Sequence, residues 1–348
     1  MKYRLLEWLA CPACRSPDFR LETVSTRTVS ALTGNFREDA VPPGVDLDRG
    51  EEQEIMEGSL HCGPCGSIYP IREGVPRLMT AESETGPPSR HRATRIEADR
   101  QEWEQNFRDL ASPLNPADFL GKLVLDAGCG FGRHAFFAAR YGAEVVAIDS
   151  SADGVAAAFK NTEAMARIHI IQADVYRPPF REDCFDIAYS FGVLHHLERP
   201  MDAFRTLGEL VKPGGRLSVW VYGPRQGMTL TASEVVRGFT TEMKPEHLEM
   251  VSAGIARGLR VFSHTPYRML RHIPVAREVV THLPVHDHHQ WPFEVVLADV
   301  YDRLRFPVYQ WFKGEDLERM FTDDGYADVL VTRRVRNNET FRATGIRR

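Results

Sequence analysis

The feature that most constrains this chain is an alternation of short apolar runs with amphipathic segments, from about residue 120 to 223. "KLVLDAG", "EVVAIDS", "IHIIQAD", "FDIAYSF" and "RLSVWVY" read as strands. The stretches from about Arg133 to Tyr141, Ala152 to Ala166 and Pro200 to Val211 read as helices. Such alternation predicts βαβ units around a parallel sheet, so the expected fold class is α/β. Just ahead of it, "RIEADRQEWEQNFRDLA" places Ile96, Trp103, Phe107 and Leu110 at helical spacing, which predicts an amphipathic helix. No internal repeat is apparent.

Residues 224 to 312 break the pattern with prolines, histidines and helix-compatible segments. The strand–helix order then resumes in "KGEDLERMFTDDGY", "ADVLVTRR" and "ETFRATGIRR". An insertion after the fifth strand leaves the sheet at its carboxyl edge, where ligands bind in open α/β folds, so it is expected to cap the active site. The organisation that follows is an N-terminal segment 1–79, a low-hydrophobicity linker 80–95, a core 96–223, a cap 224–312 and a returning piece of core 313–348.

Composition narrows the class further. With 348 residues, 43% hydrophobic and 26% charged, the chain reads as an ordinary globular protein. No apolar run approaches the ~20 residues that span a bilayer, and the apolar part of "MKYRLLEWLACPAC" is too short for a signal peptide. A cytoplasmic location without membrane contact is expected. A formal net charge of −5 argues against a broadly basic nucleic-acid surface. The arginines of "VTRRVRNNETFRATGIRR" are read as the solvated face of two edge strands.

Four of the six cysteines form two C-x2-C pairs, Cys11 with Cys14 and Cys62 with Cys65. That is the ligand spacing of a four-thiolate zinc ribbon, in which the metal replaces a core too small to hold the segment folded. A redox C-x-x-C needs no second pair, and stable disulfides are rare in the cytosol. His61 is a spare ligand, but four thiolates already fill the shell. The polar, acidic interval from about 25 to 58 reads as a loop or a loosely paired extension.

In "LVLDAGCGFGRHA" the glycines Gly128, Gly130 and Gly132 follow a strand that ends in Asp126. A dinucleotide fingerprint needs G-x-G-x-x-G, whereas the spacing here is G-x-G-x-G with Arg133 next. A carboxylate ahead of the glycines opposes a pyrophosphate and suits a cationic sulfonium or ammonium group. Asp149, with Ser150 behind it, ends the second strand, where a carboxylate accepts from both ribose hydroxyls. Asp174 ends the third, placed to accept from an adenine amino group. One strand-end Asp is commonly a cap or a turn former. Three on successive strands, one behind a glycine loop, describe a nucleoside site.

"VLDAGCGFGRHA", "VVAIDSS", "IQADVYRPPF", "FDIAYSFGVLHHLERP" and "LVKPGGRLSVWVYG" together resemble the successive motifs of class I S-adenosylmethionine-dependent methyltransferases. The resemblance covers about residues 120 to 223 closely and 312 to 348 more weakly. It implies a Rossmann-like methyltransferase sheet carrying a helical cap insertion and a small N-terminal zinc ribbon. It also implies that Asp126 and the three glycines serve the methionine end of S-adenosylmethionine, that Asp149 holds the ribose, and that Asp174 and Val175 flank the adenine. Backbone around Ser190 and Phe191 would face the methionine end, and Cys129 would be a small packing residue. "LLEWLACPACRSP" and "SLHCGPCGSIYPIREGVPRLM" resemble small zinc-ribbon proteins that bind and activate methyltransferases in trans. Carrying the ribbon in the same chain, with a long acidic interval, departs from that pattern. Its role is open between a structural module and substrate or partner recruitment.

Methyl transfer needs alignment and exclusion of water, and a base only where the acceptor must lose a proton. His195, beside a family-typical His196, is the substrate-facing candidate after the fourth strand. In the cap, His282, His286, His288 and His289 gather with Asp287, a grouping that serves either a metal site or a base, and His289 is taken as a candidate base. Tyr301, Asp302 and Tyr309 are candidate pocket residues, the tyrosines alternatively packing aromatics, and Tyr309 is taken as the third catalytic candidate. Trp103 and Phe107 serve either as a cover for the cofactor or as core. The expected function is methylation of a small molecule at O, N or C. The rival readings are an RNA or protein acceptor docked by the ribbon, a different chemistry on the same cofactor, and a non-catalytic partner protein.

Overall fold

The computed structural model describes residues 1–30, 51–83, 101–224, 238–283, 285–305, 307–333 and 340–348. The strands are β1 (Phe19–Ser30), β2 (Glu51–Cys62), β3 (Ile68–Arg72), β4 (Val75–Leu78), β5 (Leu123–Ala127), β6 (Glu144–Asp149), β7 (Ile168–Ala173), β8 (Phe185–Phe191), β9 (Val211–Tyr222), β10 (Tyr326–Arg333) and β11 (Thr340–Arg347). They join one sheet in the order β1-β2-β3-β4-β7-β6-β5-β8-β9-β11-β10. From β7 to β9 every neighbour is parallel, and β11 runs antiparallel to both β9 and β10. Central strands covered on both faces need continuous apolar runs, as in β5 and β6, where Val124, Leu125, Val145 and Val146 are fully buried.

Helices α1 (Gln101–Ala111), α2 (Arg133–Arg140), α3 (Ala152–Thr162) and α4 (Pro200–Leu210) accompany the core strands. Trp103, Phe107 and Leu110 are buried as their spacing predicts, and Ile96 lies outside the described residues. The chain order reverses at β5, which pairs with β6 on one side and β8 on the other. That reversal opens the crevice at the carboxyl ends of β5 and β8 where open α/β sheets take their ligands.

The N-terminal segment is not a tethered module. β4 pairs in parallel with β7, Arg77 opposite Gln172 and Leu78 opposite Ala173, so the ribbon's strands extend the core sheet. Leu5, Leu9, Ile55, Leu60 and Ile71 share one buried cluster with Val146, Ile171 and Phe180. Lys2 Nζ donates to the Ile168 carbonyl at 2.6 Å, and the Ala10 amide to the Pro179 carbonyl at 2.9 Å. Residues 1–86 therefore fall in the same compact unit as the core. Of the two readings of the acidic interval, a loop or a loosely paired extension, its described ends take the second. β1 and β2 pair antiparallel out to Ser30 and Glu51, and the residues between them lie outside the described set. The polar arms are held by cross-strand pairs: Arg27 meets Glu54 at 2.7 Å, and Gln53 donates to the Thr28 hydroxyl at 2.9 Å.

The second compact unit comprises the described residues from 238 to 307, within the expected cap interval 224–312. Its helix α5 (Pro245–Leu259) runs through a wider π turn (Arg260–His264) into α6 (Thr265–Leu270), followed by α7 (Pro274–Val280) and α8 (Phe293–Arg305). Leu248 and Ala256 of α5 pack on Val296, Leu297, Val300, Tyr301 and Leu304 of α8. From residue 308 the chain is again part of the sheet unit: the Phe312 amide donates to the Tyr222 carbonyl at 3.0 Å, ahead of α9 (Gly314–Asp323). Among the described residues no helix is long and apolar enough to cross a membrane.

Candidate functional site

The glycine loop leaves β5 through three left-handed positions, Gly128 at φ +86°, Gly130 at +54° and Gly132 at +85°. The amides of Gly128 and Cys129 both donate to the Ile148 carbonyl, at 2.8 and 2.9 Å, which ties the loop to β6. A Cβ on Gly128 would lie 2.2 Å from Val193 Cγ2, so the ends of β5 and β8 approach closely only because this residue has no side chain. Asp149 closes the loop from the other side, Oδ2 accepting from the Gly130 amide at 2.9 Å and Oδ1 from the Ser151 amide at 2.8 Å. A carboxylate has about four acceptor positions, so these two bonds do not by themselves close it to a ribose.

Asp126 lies behind the loop, 1% exposed, and neither of its oxygens has a partner at hydrogen-bond geometry. Burial pushes its carboxyl up to about 8; the nearby Tyr189 phenol and Ala135 amide pull the other way without offsetting it. Tyr189 stands opposite Asp126 in the β5–β8 register, and its hydroxyl is likewise buried without a partner. Burial outweighs the Tyr189 phenol, the Ala135 amide and the Arg133 charge, so the acid is costly to ionise in such a place. The geometry therefore suits a ligand that brings a positive charge or a donor of its own. Tyr189 was not among the expected site residues; its position two residues before Phe191, on the same face of β8, was the available signal.

The remaining cofactor candidates gather on the same edge. Asp174 is buried and its Oδ1 accepts from the Tyr176 amide at 2.9 Å, with Val175 beside it. The Ser150 carbonyl accepts from Gln172 Nε2 at 2.9 Å, a contact that motif reading did not suggest. Ser190 is buried with its hydroxyl on the Ala127 carbonyl at 2.9 Å. Phe191 stacks on Tyr189 at 4.6 Å and meets the edge of His134 at 5.6 Å. Phe107 stacks on His134 and Phe137 from α1, so it is part of the core beneath this edge. Cys129 is buried and its thiol pushed well up by that burial, which keeps it protonated and suits packing over nucleophilic work.

The three candidate catalytic residues divide between the units. His195 is fully buried, stacked on Tyr222 at 3.9 Å, and its Nδ1 accepts from the Tyr222 amide at 3.4 Å. Tyr309 joins it through the backbone, its amide donating to the His195 carbonyl at 2.9 Å while its side chain is exposed. His289 belongs to the helical unit. Its Nδ1 lies 3.0 Å from the His286 carbonyl and its Nε2 2.8 Å from Arg271, so the lone pair a base would use is engaged by a guanidinium. Burial together with Arg271 and Arg268 holds its pKa low. The neighbouring histidines also bond locally: His282 to the Glu278 carbonyl, His286 to the Leu283 carbonyl, and His288 stacked on Trp291.

Among the described residues the four cysteines are the one group whose metal-ligating atoms converge, all within 4.8 Å of one another. Cys11 and Cys65 are 3.6 Å apart, Cys14 and Cys62 3.5 Å. Thiolates at about 2.3 Å from a tetrahedral zinc stand ~3.8 Å from each other, so the cluster has the size the ion requires. The two knuckles turn alike, with left-handed Arg15 (φ +63°) and Gly66 (φ +70°) donating back to the Cys11 and Cys62 carbonyls. His61 is turned away from the cluster, onto Ser59 at 2.8 Å and Glu22 at 3.3 Å.

Comparison with known proteins adds two family matches. Residues 125–219 match the methyltransferase domain family and residues 2–74 the Trm112p-like protein family. An uncharacterized methyltransferase of Mycobacterium bovis is 35% identical over 152 residues, 41% of this chain and 74% of that protein. A tRNA U34 carboxymethyltransferase of Marinobacter nauticus is 32% identical over 123 residues, 33% of this chain and 36% of the relative. The mitochondrial ubiquinone biosynthesis O-methyltransferase of Schizosaccharomyces pombe is 37% identical over 103 residues, 28% of this chain and 37% of the relative. The chain thus spans little more than a third of the length of these last two.

Proposed function

Because the chain belongs to the class I S-adenosylmethionine-dependent methyltransferases and carries a Trm112p-like ribbon in the same polypeptide, we propose that it methylates a small-molecule acceptor from S-adenosylmethionine. The observation that carries the reading is the buried Asp126 carboxyl, raised to about 8 by its burial, behind three left-handed glycines at the β5–β8 crevice. S-adenosylmethionine, when bound, supplies an electrophilic methyl group on a sulfonium. The chain's own part is to hold and align: Asp126 and the glycine loop receive the cationic methionine end, Asp149 the ribose, Asp174 and Val175 the adenine. Ser190 and Phe191 form the wall toward the methyl group.

Tyr309, exposed and tied to the His195 carbonyl, is the residue we place nearest the acceptor, with His195 as the buried support that positions it. A base role for His289 would require its bond to Arg271 to open. The four cysteines hold a structural zinc that keeps the ribbon's strands on the sheet edge.

The test is calorimetric binding of S-adenosylmethionine against NAD to zinc-loaded protein, with Asp149→Ala as control. Binding of the first alone, lost in the variant, supports the cofactor assignment; binding of NAD in its place overturns it. A second reading, an RNA acceptor, is favoured by the relative named as acting on tRNA. Salt-sensitive retention of total tRNA supports that reading, because phosphate contacts release counterions.

A further inference from the structure

Helix α5 and its continuation through the π turn into α6 are arranged inside out. The positions turned to the protein interior hold mostly small or polar residues: Ser252, Ala256, Ser263 and His264 are buried. The large apolar side chains point outward. Phe262 is 76% and Met269 72% exposed, and Ile255, seven residues before Phe262, is exposed as well. Ile255, Phe262 and Met269 therefore all lie on the exposed side of this helical segment. α7 continues the surface with Val275 (82% exposed) and Val279, four residues apart on one face. Folding of this unit does not require the arrangement, since its own core lies on the opposite side, against α8.

Charge identifies what the surface meets. From the start of α5 to the end of α7, residues 245–280 contain five arginines and three glutamates, a net of +2 in a chain whose formal charge is −5, and all five arginines lie from residue 257 onward. Arg257, Arg268 and Arg277 are exposed among the apolar side chains. A two-fold dimer through this face would set those arginines against their own copies. A nucleic acid would use the arginines but gains little from exposed Val, Ile and Met, which offer no ring for bases to stack on. An anionic bilayer surface uses both: apolar side chains enter the acyl boundary while guanidinium groups meet the lipid phosphates.

We propose that the face formed by α5, α6 and α7 is an interfacial docking surface for anionic membranes. The composition-based expectation of no membrane contact rested on the lack of a spanning segment, which a helix lying in the headgroup layer does not need. The inference stands apart from the identity of the methyl acceptor.

The test is co-sedimentation of the zinc-loaded full chain with vesicles of phosphatidylcholine alone and of phosphatidylcholine mixed with phosphatidylglycerol. Binding is expected to the anionic vesicles, and to fall as salt is raised. Phe262→Ser with Met269→Ser, and separately Arg268→Glu with Arg277→Glu, should each weaken it roughly tenfold or more while leaving the melting temperature unchanged. Hydrogen exchange on the unaltered chain needs no variant and should show protection confined to residues 254–282 on anionic vesicles. Lack of binding to either vesicle would overturn the proposal, as would equal binding to both. So would a concentration-dependent dimer abolished by the Phe262 and Met269 changes, or tRNA capture lost with the arginines and indifferent to Phe262 and Met269.

Discussion

Arg77, on the ribbon strand β4, donates to Gln172 Oε1 at 3.1 Å, and the amide end of the same Gln172 donates to the Ser150 carbonyl at 2.9 Å. One side chain therefore connects the ribbon to the loop that carries Asp149. Gln172→Ala should weaken S-adenosylmethionine binding by about five- to tenfold, the worth of one lost hydrogen bond of roughly 1 kcal/mol. Arg77→Ala should produce a smaller loss, since Gln172 still reaches Ser150. Titration calorimetry reads both, with the melting temperature as control. Unchanged affinity in Gln172→Ala would mean that the contact is packing only.

Asp126 makes cofactor affinity depend on pH. Its carboxyl is raised to about 8, so below that pH the empty site holds a neutral acid, and binding a cation must expel the proton. Affinity should rise with pH up to about 8 and level off above it, with a slope approaching tenfold per unit well below. Proton release appears as a dependence of the calorimetric enthalpy on the ionisation enthalpy of the buffer. Asp126→Asn should bind more weakly, with a flat profile across the same range. A wild-type profile as flat as that of the variant would exclude an ionised Asp126 from the complex.

Much of this site was legible in the sequence because its signals are local. The glycine spacing, the acids at strand ends and the two C-x2-C pairs each occupy a few consecutive residues; the glycines follow β5, Asp149 ends β6, and the four cysteines converge. What was not legible depends on pairing between distant segments. Nothing in "VPRL" announces a parallel partner in "IHIIQA". The polar arms of β1 and β2 look like a loop until Arg27 is set against Glu54 and Thr28 against Gln53. Gln172 and Tyr189 lie inside the quoted motifs, but their roles come from the neighbours the sheet gives them, Arg77 and Ser150 for the first and Asp126 for the second. The outward apolar side chains on α5 and α6 have ordinary helical spacing, so periodicity alone could not say which face would be buried.

His169 gives stability its own pH dependence. It is fully buried on β7, with Nε2 2.6 Å from Glu144 Oε1 and the edge of Trp8 against its ring. Burial lowers its pKa from 6.5 to about 4, with Lys2 and Arg4 adding repulsion and Glu144 opposing the shift. The unfolded chain therefore binds a proton that the folded one does not between about pH 6.5 and 4, and stability falls as the pH drops through that window. His169→Gln should flatten urea-unfolding stability over the window while leaving the neutral-pH behaviour close to wild type. A variant that loses stability in parallel with wild type would assign the acid sensitivity elsewhere.

Removing zinc should affect the whole sheet unit together. Leu5, Leu9, Ile55 and Leu60 of the ribbon lie in the same buried cluster as Val146 and Ile171 of the core, and β4 covers the edge of β7. Metal binding is folding energy for a ribbon of this kind, so its loss exposes that edge and part of the core. Chelation, or Cys62→Ser, is expected to lower the unfolding temperature of the sheet unit as one transition, and S-adenosylmethionine binding should weaken with it through Gln172. If the ribbon instead melted in a separate early step that left cofactor affinity intact, the shared core would carry little of the coupling. The β4–β7 pairing would then be a docking contact whose loss the methyltransferase sheet tolerates.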